Sequence, residues 1–199
     1  MRELGEADRP AAEGDIAVTA LPAALYAAPV APPATSPAEL TDFGEFVRVT
    51  LPGLLRYGHA LTGNPHDAAD LVQIVLEKVG SRWAHVRRKT GDPLAYVRRS
   101  MANAHISRWR RTRRESLVAD IPDRTAIAET DPFEHEPLWQ ALRELPPRQR
   151  AVIVLRYYDG LSEVDIARTL GVTQGTVKSQ ASKAIASLRR KMAEGREPT

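Results

Sequence analysis

Residues able to do bond chemistry are few and scattered in this 199-residue chain. There is no cysteine, which excludes disulfides, thiolate zinc sites and thiol nucleophiles. The five histidines, at 59, 66, 85, 105 and 135, are not grouped with carboxylates as a metal site requires. Each is expected as a surface or half-buried side chain, and neither a metal, a cofactor nor a catalytic centre is expected. The chemistry that the spacing does offer is non-covalent. Gly175, Thr176, Lys178, Ser179, Gln180, Ser182 and Lys183 form a run of short hydrogen-bonders and cations without one carboxylate. On a helix, such a run suits the major groove of DNA, where Lys, Gln and Ser meet phosphates and base edges that would repel an acid.

The elements that must position this run lie between Leu161 and Met192. Ser162 is an N-cap candidate with Asp165 able to reach back, and Val164, Ile166, Ala167 and Leu170 supply the apolar positions of a short helix. Gly171 closes it, because glycine tolerates the left-handed backbone of a helix end. Thr173 can cap a second helix whose Val177, Ala181, Ala184 and Leu188 fall on one stripe. Two short helices around a tight turn read as a helix-turn-helix, although a helical hairpin with a polar outer face has the same pattern.

A second basic surface precedes it. The formal net charge is only +3, yet residues 81–114 hold eleven bases against Asp92 alone. Residues 115–137 reverse this, with Arg124 against seven acids, and residues 138–199 return to eleven bases against six acids. Such segregation points to two nucleic-acid surfaces separated by a segment that avoids nucleic acid. Residues 84–93, with Arg87 and Arg88, read as a basic loop ending in the breaker Gly91-Asp92-Pro93. Leu94 to Arg114 then reads as a long helix, with Leu94, Val97, Met101 and Ala104 facing a core. Arg98, Arg99, Asn103, Ser107, Trp109, Arg110 and Arg111 around them make a platform for backbone phosphates and unstacked bases.

The remaining segments frame these surfaces. Residues 1–40 are expected as a disordered extension, since residues 20–38 hold eight Ala and five Pro. From Thr41 or Asp42 an amphipathic helix begins with Phe43, Phe46, Val47, Leu54, Leu55 and Leu61, which Pro52 and Gly53 should bend or break. A further helix starts near Asn64 and Pro65, its apolar face Ala68, Leu71, Val72, Val75, Leu76 and Val79 opposed by Asp67, Asp70, Gln73 and Glu77. Residues 115–137 read as an acidic linker. Leu138, Leu142 and Leu145 begin a last domain, 138–192, with a second helix from Arg148 to Tyr158 and a frayed tail over 193–199. The fold class is therefore all-α, two small helical domains (41–114 and 138–192) joined by a flexible linker. No apolar run approaches the roughly 18 residues that cross a bilayer, and no charged-then-apolar leader opens the chain, so a cytoplasmic protein without membrane insertion is expected.

The order of these parts resembles a sigma factor of the sigma-70 class, specifically the short extracytoplasmic-function group of the actinobacterial SigE type, which has a region-two domain, a linker and a region-four domain. DAADLVQIVLEKV (67–79) is similar to that family's helix on the clamp of RNA polymerase. PLAYVRRSMANAHISRWRR (93–111) resembles its helix that opens and reads the minus-ten element. LPPRQRAVIVLRYYDGLSEVDIARTLGVTQGTVKSQASKAIASLR (145–189) is similar to region four, which reads the minus-thirty-five element. The resemblance implies polymerase contacts at Asp70, Leu71, Gln73 and Glu77, a flipped-base pocket at Asn103, and a specificity loop at His85 to Asp92. Gln180 and Ile185 stand where relatives often carry arginine, which implies fewer phosphate contacts. The implied partners are core RNA polymerase, through its clamp and flap, promoter DNA and an anti-sigma factor. From the residues alone, a one-component helix-turn-helix repressor or activator is the alternative, opposed by the second basic block, and an enzyme or adaptor lacks any convergent titratable motif.

Overall fold

The computed structural model describes residues 40–116 and 137–194, so the Ala/Pro-rich extension and nearly all of the acidic linker lie outside the described residues. Eight helices are present among the described residues: α1 (Phe43–Thr62), α2 (Pro65–Gly80), α3 (Trp83–Thr90), α4 (Pro93–Ser116), α5 (Pro137–Arg143), α6 (Pro147–Tyr157), α7 (Glu163–Leu170) and α8 (Gln174–Glu194). The fold is all-α.

Local chemistry sets most of the boundaries. The Asp42 side chain accepts from the Glu45 amide at 2.8 Å and starts α1. Gly63, with φ 74°, ends it by donating its amide to the His59 carbonyl at 2.7 Å. Asn64 then caps α2 by accepting from the amides of His66 and Asp67. Pro65 occupies the first turn, where its missing N–H costs nothing. Asp92 does the same for α4, accepting from the Ala95 amide at 3.0 Å.

Three expectations are corrected here. Pro52 and Gly53 do not break the first helix, which runs unbroken through them. A mid-helix proline costs about 3 kcal/mol, and burying Phe46, Leu54, Tyr57 and Leu61 on one face offsets that several times over. Residues 84–93 are not a loop, because α3 forms across most of them. Only Trp83 and Val86 of α3 are buried, so tertiary packing holds a helix too short to show a period. The Trp83 indole donates to the Thr41 carbonyl at 2.8 Å and its ring packs against Phe46 at 4.7 Å, which ties α3 to the start of α1. Finally, His59 is buried, its ring stacked on Trp139 at 5.1 Å, rather than surface or half-buried.

The core is continuous from one half to the other. Phe46, Tyr57, Leu61, Val75, Val97 and Met101 of the first four helices join Leu142, Ile153, Leu155, Ile166 and Leu188 of the last four in one buried cluster. Helix α1 packs on α5 and α6, and α4 packs on α6 and α7. The halves thus lie against each other, an arrangement no local pattern announces.

Candidate nucleic-acid interface

The helix-turn-helix is built by three short-range devices. Ser162 Oγ accepts from the Asp165 amide at 3.2 Å and donates to its carboxylate at 2.6 Å, fixing the start of α7. Gly171 takes φ 61° and ψ 47° and donates to the Ala167 carbonyl. Thr173 Oγ1 accepts from the Thr176 amide at 3.2 Å and starts α8. Val177, Ala181, Ala184 and Leu188 then face inward. Val164, counted with the apolar positions of α7, instead lies 50% exposed.

Gly175, Lys178, Ser179, Ser182 and Lys183 are exposed on α8. Thr176 and Gln180 are half-buried and line a small apolar cleft with Ile106 and Arg110 of α4 and Arg148 and Val152 of α6. One carboxylate that the sequence did not single out comes close. Glu163, at the first position of α7, lies 3.8 Å from Lys178 Nζ and 3.4 Å from Arg156, and accepts from Gln174 at 3.3 Å. It orients the first turn of α8 while leaving most of Lys178 in solvent. An acid opening α7 is visible in the sequence; its reach to the next helix is not.

The second surface is divided in two. Arg87 and Arg88 on α3, and Arg99, Asn103, Ser107 and Arg111 on α4, are exposed. Arg98, Trp109 and Arg110 are partly covered, each by a residue of the other half. Arg98 stands 3.7 Å from Asp159 and 5.0 Å over the ring of Tyr158. Arg110 Nη2 donates to the Leu170 carbonyl at 2.7 Å, and the Arg148 guanidinium lies 4.8 Å over the Trp109 ring. Burial raises the pKa of Asp159, against the hydrogen bond from Tyr57 and the charges of Arg98 and Arg99, which lower it. Burial, with the nearby Asp159, likewise pushes the Tyr57 hydroxyl well up from its ordinary range.

On α2, Asp70, Gln73 and Glu77 form one exposed polar strip, and Gln73 donates to Glu77 at 3.0 Å. Leu71 is different: at 4% exposure it faces the core and cannot present itself to a partner as expected. Ile74, 41% exposed beside that strip, is the apolar residue the sequence reading missed. An i, i+3, i+4 count from Asp70 would have found it. Next to the strip, Phe43, Val47, Leu51 and Leu55 of α1 and Val72 and Leu76 of α2 line an open apolar groove. Among the described residues, no cluster of His and carboxylates could hold a metal, and no helix is long and apolar enough to cross a membrane.

Comparison with known proteins identifies both halves. Residues 46–115 match the model of Sigma-70 region 2, and residues 135–188 match that of Sigma-70, region 4. The RNA polymerase sigma-E factor of Streptomyces coelicolor is 34% identical over 157 residues, covering 77% of this chain and 88% of the relative. The ECF RNA polymerase sigma factor SigM of Mycobacterium tuberculosis is 38% identical over 142 residues, 69% of this chain and 70% of the relative. Among solved structures, the sigma factor RpoE of Bartonella quintana, crystallised with the anti-sigma factor NepR, superposes with a TM-score of 0.58 at 28% identity, over 77% of this chain and 98% of that one. A one-component regulator with an unrelated N-terminal domain does not fit a match to both regions in this order. The chain belongs to the sigma-70 family of RNA polymerase sigma factors, in its extracytoplasmic-function group, and is a transcription initiation factor.

Proposed function

We propose that α4, with α3, reads and melts the minus-ten element while α8 reads the minus-thirty-five element, the whole carried by core RNA polymerase held at Asp70, Gln73, Ile74 and Glu77. The observation that carries this reading is the pair of basic helical surfaces, α4 and α8, each nearly free of acids, in one chain. Exposed Lys178 and Lys183 contact phosphates on either side of the groove, and Ser179 and Ser182 meet base edges between them. Exposed Asn103 receives an unpaired base, and Arg99 and Arg111 hold the backbone beside it. Polymerase fixes the two halves at one separation, so their modest affinities multiply through effective concentration.

In this reading the protein makes and breaks no bond, works in the cytoplasm, and is regulated by an anti-sigma factor that competes for the α1–α2 face. The anti-sigma reading draws on the partner of the Bartonella protein and on the exposed groove. Two charge-altering variants test the division of labour. Reversing Asp70 and Glu77 to Lys should abolish retention by core polymerase and leave the helix-turn-helix competent for DNA. Asn103→Ala should keep polymerase binding and impair strand opening at the minus-ten element. If both variants lost polymerase equally, the assignment of these faces would be wrong.

A further inference from the structure

The open groove between α1 and α2 calls for an apolar occupant. Phe43, Val47, Leu51 and Leu55 recur at every fourth position of α1 and make one stripe, which lines the groove with Val72 and Leu76 of α2. Leu55 is 38% exposed, and the other three residues of the stripe are half-buried. From Phe43 to Leu55 the stripe runs about 18 Å at the helical rise. An apolar surface of this kind marks a docking site. Its polar rim makes no demand for a charged occupant, because Gln73 and Glu77 hydrogen-bond to each other at 3.0 Å. The chain itself brings a matching segment to one end of this groove. Leu40 is 3% exposed, and the Trp83 indole donates to the Thr41 carbonyl at 2.8 Å. Phe43 opens the groove three residues after Leu40, so whatever precedes Leu40 is delivered to that end. Residues 16–38 hold no charged side chain, in a chain that is 27% charged, and carry Ile16, Val18, Leu21, Leu25, Tyr26 and Val30. A segment kept in water usually carries charge. Laid out at about 3.1 Å per residue, as prolines favour, the six residues from Leu21 to Tyr26 span the groove. The thirteen residues between Tyr26 and Leu40 can reach about 40 Å, more than twice the length of the groove.

We propose that residues 16–30 of this chain dock in the α1–α2 groove, with Leu21, Leu25 and Tyr26 as anchors, and cover it until a protein partner displaces them. The docking stands on the groove and the segment. Only the displacement rests on the functional reading above, which puts polymerase and an anti-sigma factor on this face. The tether makes a weak contact sufficient. At an effective concentration of about 1 mM, a segment with a dissociation constant of about 0.1 mM leaves roughly a tenth of the molecules open. A partner that needs the groove then binds about tenfold more weakly than it would to an uncovered one.

Limited proteolysis of the full, unlabelled chain tests the docking. Chymotrypsin cuts after tyrosine, and docking hides Tyr26 from it, so the cleavage rate there tracks the open fraction. Cleavage after Phe133, in the linker, is the internal reference. Leu55→Glu puts a charge in the groove at an exposed position, and Leu21→Asp puts one in the segment, away from the cleaved bond. Each should speed cleavage after Tyr26 about tenfold, with helical content by circular dichroism unchanged. Wild-type cleavage should not vary with protein concentration. Equal cleavage in wild type and both folded variants would leave the groove to a partner protein and overturn the docking. Protection that fades on dilution would assign the groove to a second copy and overturn it too. Leu21→Asp should also bind core polymerase about tenfold more tightly. Unchanged affinity in a variant that has lost its protection would overturn the displacement. Run-off transcription by the wild-type protein reports on the functional reading alone, so its failure is distinguishable from failure of the docking.

Discussion

Replacing Lys178 and Lys183 together by Ala should alter the salt dependence of minus-thirty-five binding by an amount the structure sets. Both are exposed on α8 and five residues apart, about 140° around the helix. They therefore reach opposite walls of a groove, and each is assigned one phosphate. Glu163 lies 3.8 Å from Lys178, but Lys178 is 64% exposed and an exposed pair is worth only about 0–1 kcal/mol, so it does not withhold Lys178 from DNA. Each phosphate contact contributes about 0.9 to the slope of log affinity against log salt. The double variant should lose about 1.8 from that slope, so its affinity deficit shrinks about twelvefold between 50 and 200 mM salt. The assay is fluorescence anisotropy of labelled minus-thirty-five duplex titrated with polymerase holoenzyme across salt concentration. Parallel lines for wild type and variant, whatever their offset, would show that these lysines do not touch phosphates.

Other consequences are structural. His105 on α4 has its pKa lowered to about 4 by burial, then by the charges of Arg150 and Arg108. The unfolded chain takes up that proton near 6.5 and the folded one only near 4, so stability should fall as pH drops through this window, by up to roughly 3 kcal/mol. Urea unfolding of His105→Gln should lack that component of the slope. Ile153→Ala empties a fully buried site in α6 and should cost about 2–5 kcal/mol in the same assay. Ser162→Ala removes the α7 cap and should cost about 1 kcal/mol, with the loss read in minus-thirty-five affinity as well as in melting temperature.

What could be read in advance depended on range. The helix-turn-helix was legible because its signals are local: a serine cap, a glycine at φ 61°, a threonine cap and a stripe of apolar residues, all within a few positions of the backbone they control. Helix α3 was not, because its stability comes from Trp83 packing on Phe46, nearly forty residues earlier. Helix α1 survives Pro52 for a similar reason, since the buried face decides and the proline sits in solvent. Leu71 was misassigned because its neighbours Asp70 and Gln73 are exposed, and a run of contacts taken by adjacency ignores the helical turn. The packing of one half on the other was invisible altogether. Asp159 reads as a turn residue before Gly160, and nothing within ten positions of it signals that Tyr57 and Arg98 will be its partners. Long-range polar pairs leave no period in a sequence.

The central claim is that two basic helical surfaces in one chain bring RNA polymerase to promoters. Run-off transcription with purified core polymerase on fragmented genomic DNA measures it directly. The account predicts discrete transcripts that appear only when this protein is added and whose upstream DNA shares two elements at one fixed spacing. Transcripts equal in number and position with and without it would contradict the account.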